Sequence, residues 1–375
     1  MMTPRERILA VYEGRKPDRV PYMLDLSHYY LHKFHLPWDL MNGMPKPETG
    51  LMDYTRKMGA AFYCPQQTHF WDVEYANDVK STAVTRTVNG VPEISWRFDT
   101  PLGSIERIRV WEPGSYSWAV KKWGVTTPKD LEILAYAMSS RRYTPLPQNY
   151  EDWVDYIGED GLVYMNTAYS AMGYLLNYWM GVENTIFATY DYEDEMEECI
   201  TKINNNILEM VEMMASEFSA PVIITGDNFS SDVQSPSFFA RWSKDYYTKA
   251  FKIIHDHGKK VATHVDGKLR GAITMMKECG VDCIDAVTPG SVGGISAAEA
   301  RAEAGKDLIL SGGIPNELWY EYSSQEKFEQ AVKDWLALKD ITPALIAAAG
   351  DQVPPGAMES RILRMTELVN EYGWY

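Results

Sequence analysis

The sequence predicts an α/β chain folded as a (β/α)8 TIM barrel, with an antiparallel hairpin insertion in its N-terminal third. Three observations carry that expectation. The second half alternates short apolar runs with amphipathic helical stretches in strict order, which implies right-handed crossovers and a parallel sheet. One of the runs, residues 221–225 (PVIIT), is short and continuously apolar, as a buried parallel strand should be. The length, 375 residues, suits one enlarged barrel. Residues 1–375 are therefore expected to form a single domain, with the insertion at about 80–112.

The less regular first half offers two strand candidates, residues 20–24 (VPYML) and 162–166 (LVYMN). Between them, residues 82–110 read as antiparallel strands joined at Asn89-Gly90, the dipeptide that best fits a two-residue hairpin turn. Residues 191–217 form a helix, with Met196, Ile200, Ile203, Ile207, Met210 and Met214 on one face. Residues 221–225 (PVIIT) are a buried strand. Ser235-Pro236 starts a helix with a capping hydroxyl and a proline at its first position, and Gly258 ends it.

Residues 260–265 (KVATHV) are the next strand, 269–279 a helix and 281–287 (VDCIDAV) a strand. Ser296 with Glu299 is a capping box. Residues 307–311 (DLILS) are a strand, and Ser323 with Glu326 is a second capping box opening a helix to about 339. Residues 344–349 are the last strand, and a helix over about 357–372 closes the chain. Gly293-Gly294 and Gly312-Gly313 fit neither phosphate-cradle spacing and read as tight turns.

Composition narrows the partners. A net charge of −16 repels phosphate backbones and anionic lipid, so neither nucleic acid nor a membrane surface is expected to bind. It also disfavours a polyanionic substrate unless basic residues converge locally. No apolar run is long enough to cross a bilayer, the first residues do not resemble a signal peptide, and Cys64, Cys199, Cys279 and Cys283 form no disulfide-like framework. A cytoplasmic location is the expectation. The 12 Trp and 24 Tyr are dense before position 185 and suit an aromatic or flat ligand.

In parallel barrels the chemistry sits where strands end. That filter selects Asp227 and Asn228, His264 and Asp266, Asp285, and Asp351 with Gln352. His264, Asp266, Asp351 and Asp227 could converge as nitrogen and oxygen ligands for zinc or a similar divalent ion. Against this, His264 could simply bond a neighbouring carboxylate. Asp285 reads as structural, bonding loop amides. His255 and His257 suit a helix carboxyl end. His28, His32 and His35 could share a helix face, but lack the acidic residue of a metalloprotease motif. Tyr29, Tyr30, Trp71, Tyr169 and Trp179 are candidates for stacking on a substrate ring, each with core packing as the plainer alternative.

Several short segments together resemble the uroporphyrinogen decarboxylase superfamily, in its corrinoid-dependent methyltransferase branch. They are Thr3-Pro4-Arg5-Glu6-Arg7, Pro17-Asp18-Arg19-Val20-Pro21, Thr100-Pro101-Leu102-Gly103-Ser104, Gly181-Val182-Glu183, Gly226-Asp227-Asn228, Ser235-Pro236, His264-Val265-Asp266-Gly267, Gly312-Gly313-Ile314-Pro315 and Gly350-Asp351-Gln352-Val353-Pro354-Pro355. The departures are informative. The thiol-directed members carry a His-x-Cys zinc site with a distant Cys; Asp266 and Asp351 stand where those cysteines would fall. Carboxylates leave a harder Lewis acid than thiolates do, so a thiol acceptor fits poorly.

What the resemblance then implies is an O-demethylase-type enzyme. It would move a methyl group from a small aromatic methyl ether, or less readily an N-methyl donor, to Co(I) of a partner corrinoid (cobalamin) protein. His264, Asp227 and Asp351 would be catalytic, and Tyr29, Tyr30, Trp71, Tyr169, Trp179 and Asn228 would bind the substrate. A homodimer is common for this fold. The alternatives are a decarboxylase-like lyase, which would need basic residues at the mouth, and a non-catalytic binding protein.

Overall fold

The computed structural model describes residues 1–36, 49–63, 65 and 69–375. Cys64 lies outside the described residues; Cys199, Cys279 and Cys283 are buried free thiols. The frame is a parallel sheet of β7 (Met165–Asn166), β8 (Val222–Thr225), β9 (Lys260–His264), β10 (Cys283–Val287), β11 (Ile309–Gly312) and β12 (Leu345–Ala347). Each pairs with the next in sequence. Single parallel bridges Tyr22↔Ala347, Met23↔Ala61 and Phe62↔Gly161 carry the pairing from β12 back to β7. Eight parallel segments thus form a ring, two of them too short to show a strand pattern.

Period-two alternation explains the interior. Met23, Ala61, Tyr164, Ile224, Ala262, Cys283, Ile309 and Ile346 point inward and form one buried cluster, plugged by Ile8, Val11 and Tyr12 from the helix Pro4–Tyr12. Two residues further along, and so on the same parity, stand Asp25, Tyr63, Asn166, His264, Asp285 and Ser311. The barrel therefore has an apolar floor and a polar upper layer. The opposite parity (Ile223, Val261, Ile284, Leu310 and Leu345) packs under the surrounding helices.

The insertion is larger than the expected hairpin. It is a four-stranded meander of β2 (Lys80–Val88), β3 (Val91–Thr100), β4 (Gly103–Glu112) and β5 (Ser117–Lys122). Asn89 and Gly90 both take positive φ and place Val88 opposite Val91, as the two-residue turn requires. A separate antiparallel pair, β1 (Trp71–Tyr75) with β6 (Arg141–Pro145), joins the insertion's flanks.

Most helix signals hold. Ser296 and Glu299 make the capping box, and Ser235 caps its helix with Pro236 next. Two differ. The helix expected from Pro236 to Gly258 is two helices, Pro236–Trp242 and Lys244–Asp256, broken at Ser243, whose buried hydroxyl donates to Gln234 at 2.6 Å. The cap at the start of Gln325–Ala337 is Ser324, not Ser323; the Ser323 hydroxyl instead donates to the Glu317 carbonyl. Among the described residues no helix is long and apolar enough to cross a membrane.

Candidate active site

A cavity of about 390 Å³ opens at the carboxyl ends of the ring strands, lined by Asp25, Tyr63, Asn166, His264, Asp285 and Asp351 among others. β9 delivers His264 at its last position. The next inward position is Asp266, already in the loop, where Gly267 turns the chain at a φ of 151°. Asp351 arrives from the loop after β12, just past Gly350 at φ 95°. One ligand atom each from His264, Asp266 and Asp351 lies within 4.8 Å of the others.

Asp285 sits beside His264 in strand register and is 3% exposed. It accepts the His264 Nδ1 hydrogen at 3.1 Å and the Ser311 hydroxyl at 3.2 Å. That bond leaves His264 Nε2 facing the Asp351 carboxylate at 3.5 Å. Burial opposes charge on the ring. The bond to Asp285 and the charges of Asp351, Asp285 and Asp266 prevail and hold its pKa above the usual histidine range. Burial raises the Asp351 carboxyl despite the pull of His264. Asp285 thus orients His264 rather than bonding loop amides.

The cluster fits a divalent ion. Two ligand atoms on one tetrahedral zinc stand roughly 3.3 Å apart for bonds of about 2.0 Å, close to the Nε2–Asp351 separation. A carboxylate bonded to the second ring nitrogen is the usual support for a metal-bound histidine. Two carboxylates and one imidazole suit a borderline-hard cation with an open position toward the cavity.

The other expected residues divide. Tyr169 and Asn228 line the cavity, the tyrosine hydroxyl donating to Asn228 at 3.2 Å. Asn228 holds φ at 48°. Asp227 is not with the cluster. Counting by two from Ile224 reaches Gly226 and Asn228, so Asp227 turns outward. Its buried carboxylate accepts the Ser170 amide at 2.7 Å and the Tyr247 hydroxyl at 2.5 Å, pinning the turn before Ala171–Tyr174.

The remaining aromatic candidates are placed elsewhere. Tyr29 is 3% exposed and reaches Glu359 at 3.3 Å. Tyr30 packs on Phe34 and Tyr54. Trp179 stacks on Phe98 at 5.1 Å under the inserted sheet. Trp71 lines a neighbouring cavity. His28 bonds the Tyr116 carbonyl, and His255 and His257 pair with Asp282 and Glu212. Residues not anticipated at the mouth are Asp25, Tyr63, Asn166 and Thr167. Applying the strand-end filter to residues 20–24 and 162–166 would have found three of them, Asp25, Asn166 and Thr167. Asp25 accepts from Ser27 and from Gln352 at 3.1 Å.

A ring of parallel strands with an imidazole–carboxylate cluster at its carboxyl mouth defines a TIM-barrel protein with a candidate active site where such barrels carry theirs. The chain belongs to the uroporphyrinogen decarboxylase family, whose profile matches residues 167–372. Its fold is that of a methyltransferase from Methanosarcina mazei, with a TM-score of 0.60 at 14% identity over 99% of both chains. Two further structures superpose less well. A xylose isomerase domain protein from Planctomyces limnophilus gives 0.34 at 11% identity, over 66% of this chain and 84% of that one. The IOLI protein, solved with a zinc atom, gives 0.32 at 13%, over 56% and 88%. A comparison with curated protein sequences gave no significant match.

Proposed function

We propose that the protein is a corrinoid-dependent methyltransferase that removes the methyl group of a small aromatic methyl ether and delivers it to Co(I) of a corrinoid protein. The observation that carries this reading is the His264, Asp266 and Asp351 cluster in a cavity with no Lys or Arg among its described lining residues. Family membership and the shared methyltransferase fold support it. A decarboxylase acting on a polyanion is disfavoured by the same lining, where Asp25, Asp266, Asp285 and Asp351 converge.

His264 Nε2, Asp266 and Asp351 would hold zinc, which when bound supplies Lewis acidity to the oxygen that leaves with the electron pair of the broken C–O bond. The acceptor brings the electron pair for the new bond to carbon, so the protein need not build a nucleophile. Asp285 fixes the His264 ring through Nδ1. Tyr169 offers a ring face to the donor, and Asn228 holds the Tyr169 hydroxyl. The proton that neutralises the departing phenolate comes from water through the open mouth.

The test is metal content of the purified protein and of His264→Ala and Asp351→Ala, followed by methyl transfer from methoxylated aromatics to cob(I)alamin. Near-stoichiometric zinc lost in both variants, with transfer by the parent alone, is expected. Absence of metal from the parent would remove the ligand set, and absence of transfer across a donor panel would remove the reaction.

A further inference from the structure

The inserted sheet meets the barrel mouth through a π-helical turn, Leu175–Trp179, a helical irregularity frequent at functional sites. Arg107 and Arg109 stand two residues apart on β4 and so share its face. Both guanidinium carbons lie 4.8 Å from the centre of the Tyr178 ring. Arg107 also lies over Trp96 at 4.2 Å and Trp179 at 5.1 Å, and it is 9% exposed. Its Nε and Nη1 are buried without a hydrogen-bond partner among the described residues, so it clamps the turn through ring faces. The chain leaving the insertion adds the Gly124 and Val125 amides, which donate to the Trp179 carbonyl at 3.0 and 2.9 Å.

Arg109 adds direction to that clamp. Its Nη2 donates to the Asn177 carbonyl at 2.8 Å, a charge-assisted bond and so of the stronger kind. The Asn177 side chain in turn donates through Nδ2 to the Gly173 carbonyl at 3.1 Å and to the Asp227 carbonyl at 3.2 Å. The second of these bonds leaves the turn and reaches the loop after β8, one residue before Asn228. Asn228 holds a φ of 48°, uncommon for any residue but glycine, and accepts the Tyr169 hydroxyl at 3.2 Å. The Tyr169 ring also meets the turn directly, edge to face on Tyr178 with centroids 4.8 Å apart. Gly173 leaves it room, because a Cβ there would stand 3.0 Å from the Tyr169 ring and 2.6 Å from the Asp227 carboxylate. Two routes therefore run from the inserted sheet to Asn228 and Tyr169, one by hydrogen bonds and one by ring contact, and Arg109 begins both.

We infer that Arg109 is a positioning residue for the mouth: acting through Asn177 and Tyr178, it sets Asn228 and the Tyr169 ring in the orientation that a donor ring meets. The inference rests on the methyl-transfer reading for the identity of that donor. It gives the insertion a part in substrate fit, although neither Arg109 nor Asn177 is among the described residues that line the cavity.

Calorimetric titration with methoxybenzene, a neutral ring, tests this without any methyl transfer. Arg109→Met should weaken its binding about tenfold, the scale of one charge-assisted bond, and leave zinc affinity unchanged, because His264, Asp266 and Asp351 come from other segments. Asn177→Ala should do the same. Arg109→Lys, which keeps a cation over Tyr178 and a donor for Asn177, should bind like the parent. In an Asn228→Ala background Arg109→Met should lose most of its effect, since residues that act through one another are not additive; a merely structural loss would add in full. Parental affinity in a folded Arg109→Met, or an undiminished loss in the Asn228→Ala background, would overturn the inference. Should Arg109→Met fail to fold, Asn177→Ala carries the same test. A crystal structure of the variant that folds keeps the two readings apart. An unmoved Asn228 and Tyr169 would remove the positioning role, whatever the protein binds. A displaced pair, in a protein whose parent takes up no methoxylated aromatic, would leave the positioning role and remove the methyl-ether reading.

Discussion

Asp285→Asn isolates the role of the bond behind His264. The substitution keeps shape and volume, and the amide oxygen can still accept from Ser311. What it removes is a charged acceptor on Nδ1, and it offers an NH2 group that favours the wrong ring tautomer, with the hydrogen on Nε2, where the metal should bind. A hydrogen bond to a charged group contributes about 1.5–3 kcal/mol. Carboxylate partners of metal-bound histidines are worth roughly 10–100-fold in affinity, about 1.4–2.7 kcal/mol on the same scale. The two figures agree because a single bond at 3.1 Å is changed. The assay is competition for zinc against a chromophoric chelator at neutral pH, with thermal melts of the metal-free proteins as a control for folding. An affinity equal to the parent's, in a variant that melts like the parent, would refute the argument that Asp285 sets the ring for coordination.

Other expectations follow from the same geometry. Burial raises the Asp227 carboxyl above its ordinary range. A carboxyl raised in the native state favours folding in its neutral form, and that stability is lost as pH rises through the native value. Asp227→Asn keeps an oxygen to accept the Ser170 amide and turns the Tyr247 contact round, its new NH2 donating to the tyrosine oxygen, so it should be at least as stable as the parent at pH 7, with the difference shrinking near pH 4 in urea titrations. Tyr247→Phe leaves that carboxylate with fewer donors and should cost about 1–3 kcal/mol, read as a lower urea midpoint. A Cβ at Gly161 would collide with the Phe62 backbone, at the bridge that joins the second and third ring segments. Gly161→Ala should then lose about 1–3 kcal/mol, and a melt identical to the parent's would contradict the close approach. Asp25→Asn should leave zinc affinity unchanged, because Asp25 is occupied with Ser27 and Gln352 and stands outside the cluster.

The second half of the barrel was legible because its strands are short, buried and mostly apolar runs set in strict alternation with amphipathic helices. His264, Asp266 and Asp351 were legible for a related reason: a polar residue directly after such a run has only the mouth to face. The first two ring segments gave a weaker signal. They make one bridge to each neighbour, and the expectation never included residues 61–63, which carried Tyr63 away with them. Asp227 was misplaced because proximity to a strand end was counted and side-chain parity was not. Tyr169 does line the cavity, whereas two other aromatic candidates lie away from it for a different reason. Tyr29 and Trp179 are committed to partners from residues 359 and 98, and sequence spacing holds no record of contacts that distant. The insertion's turn was readable from two residues, whereas its fourth strand, 117–122, alternates too weakly to announce itself.

The origins of the three cluster residues give the site a thermodynamic reach beyond catalysis. His264 and Asp266 end the fifth ring segment and Asp351 follows the eighth, so the cluster exists only when the sheet between them is in register. An ion that binds this folded arrangement and not the open chain adds stability by mass action, about 2.7 kcal/mol when free metal is one hundred times its dissociation constant. Metal supply would then set how long the carboxyl-terminal half of the ring resists opening, and a chelator should loosen that half first in hydrogen exchange.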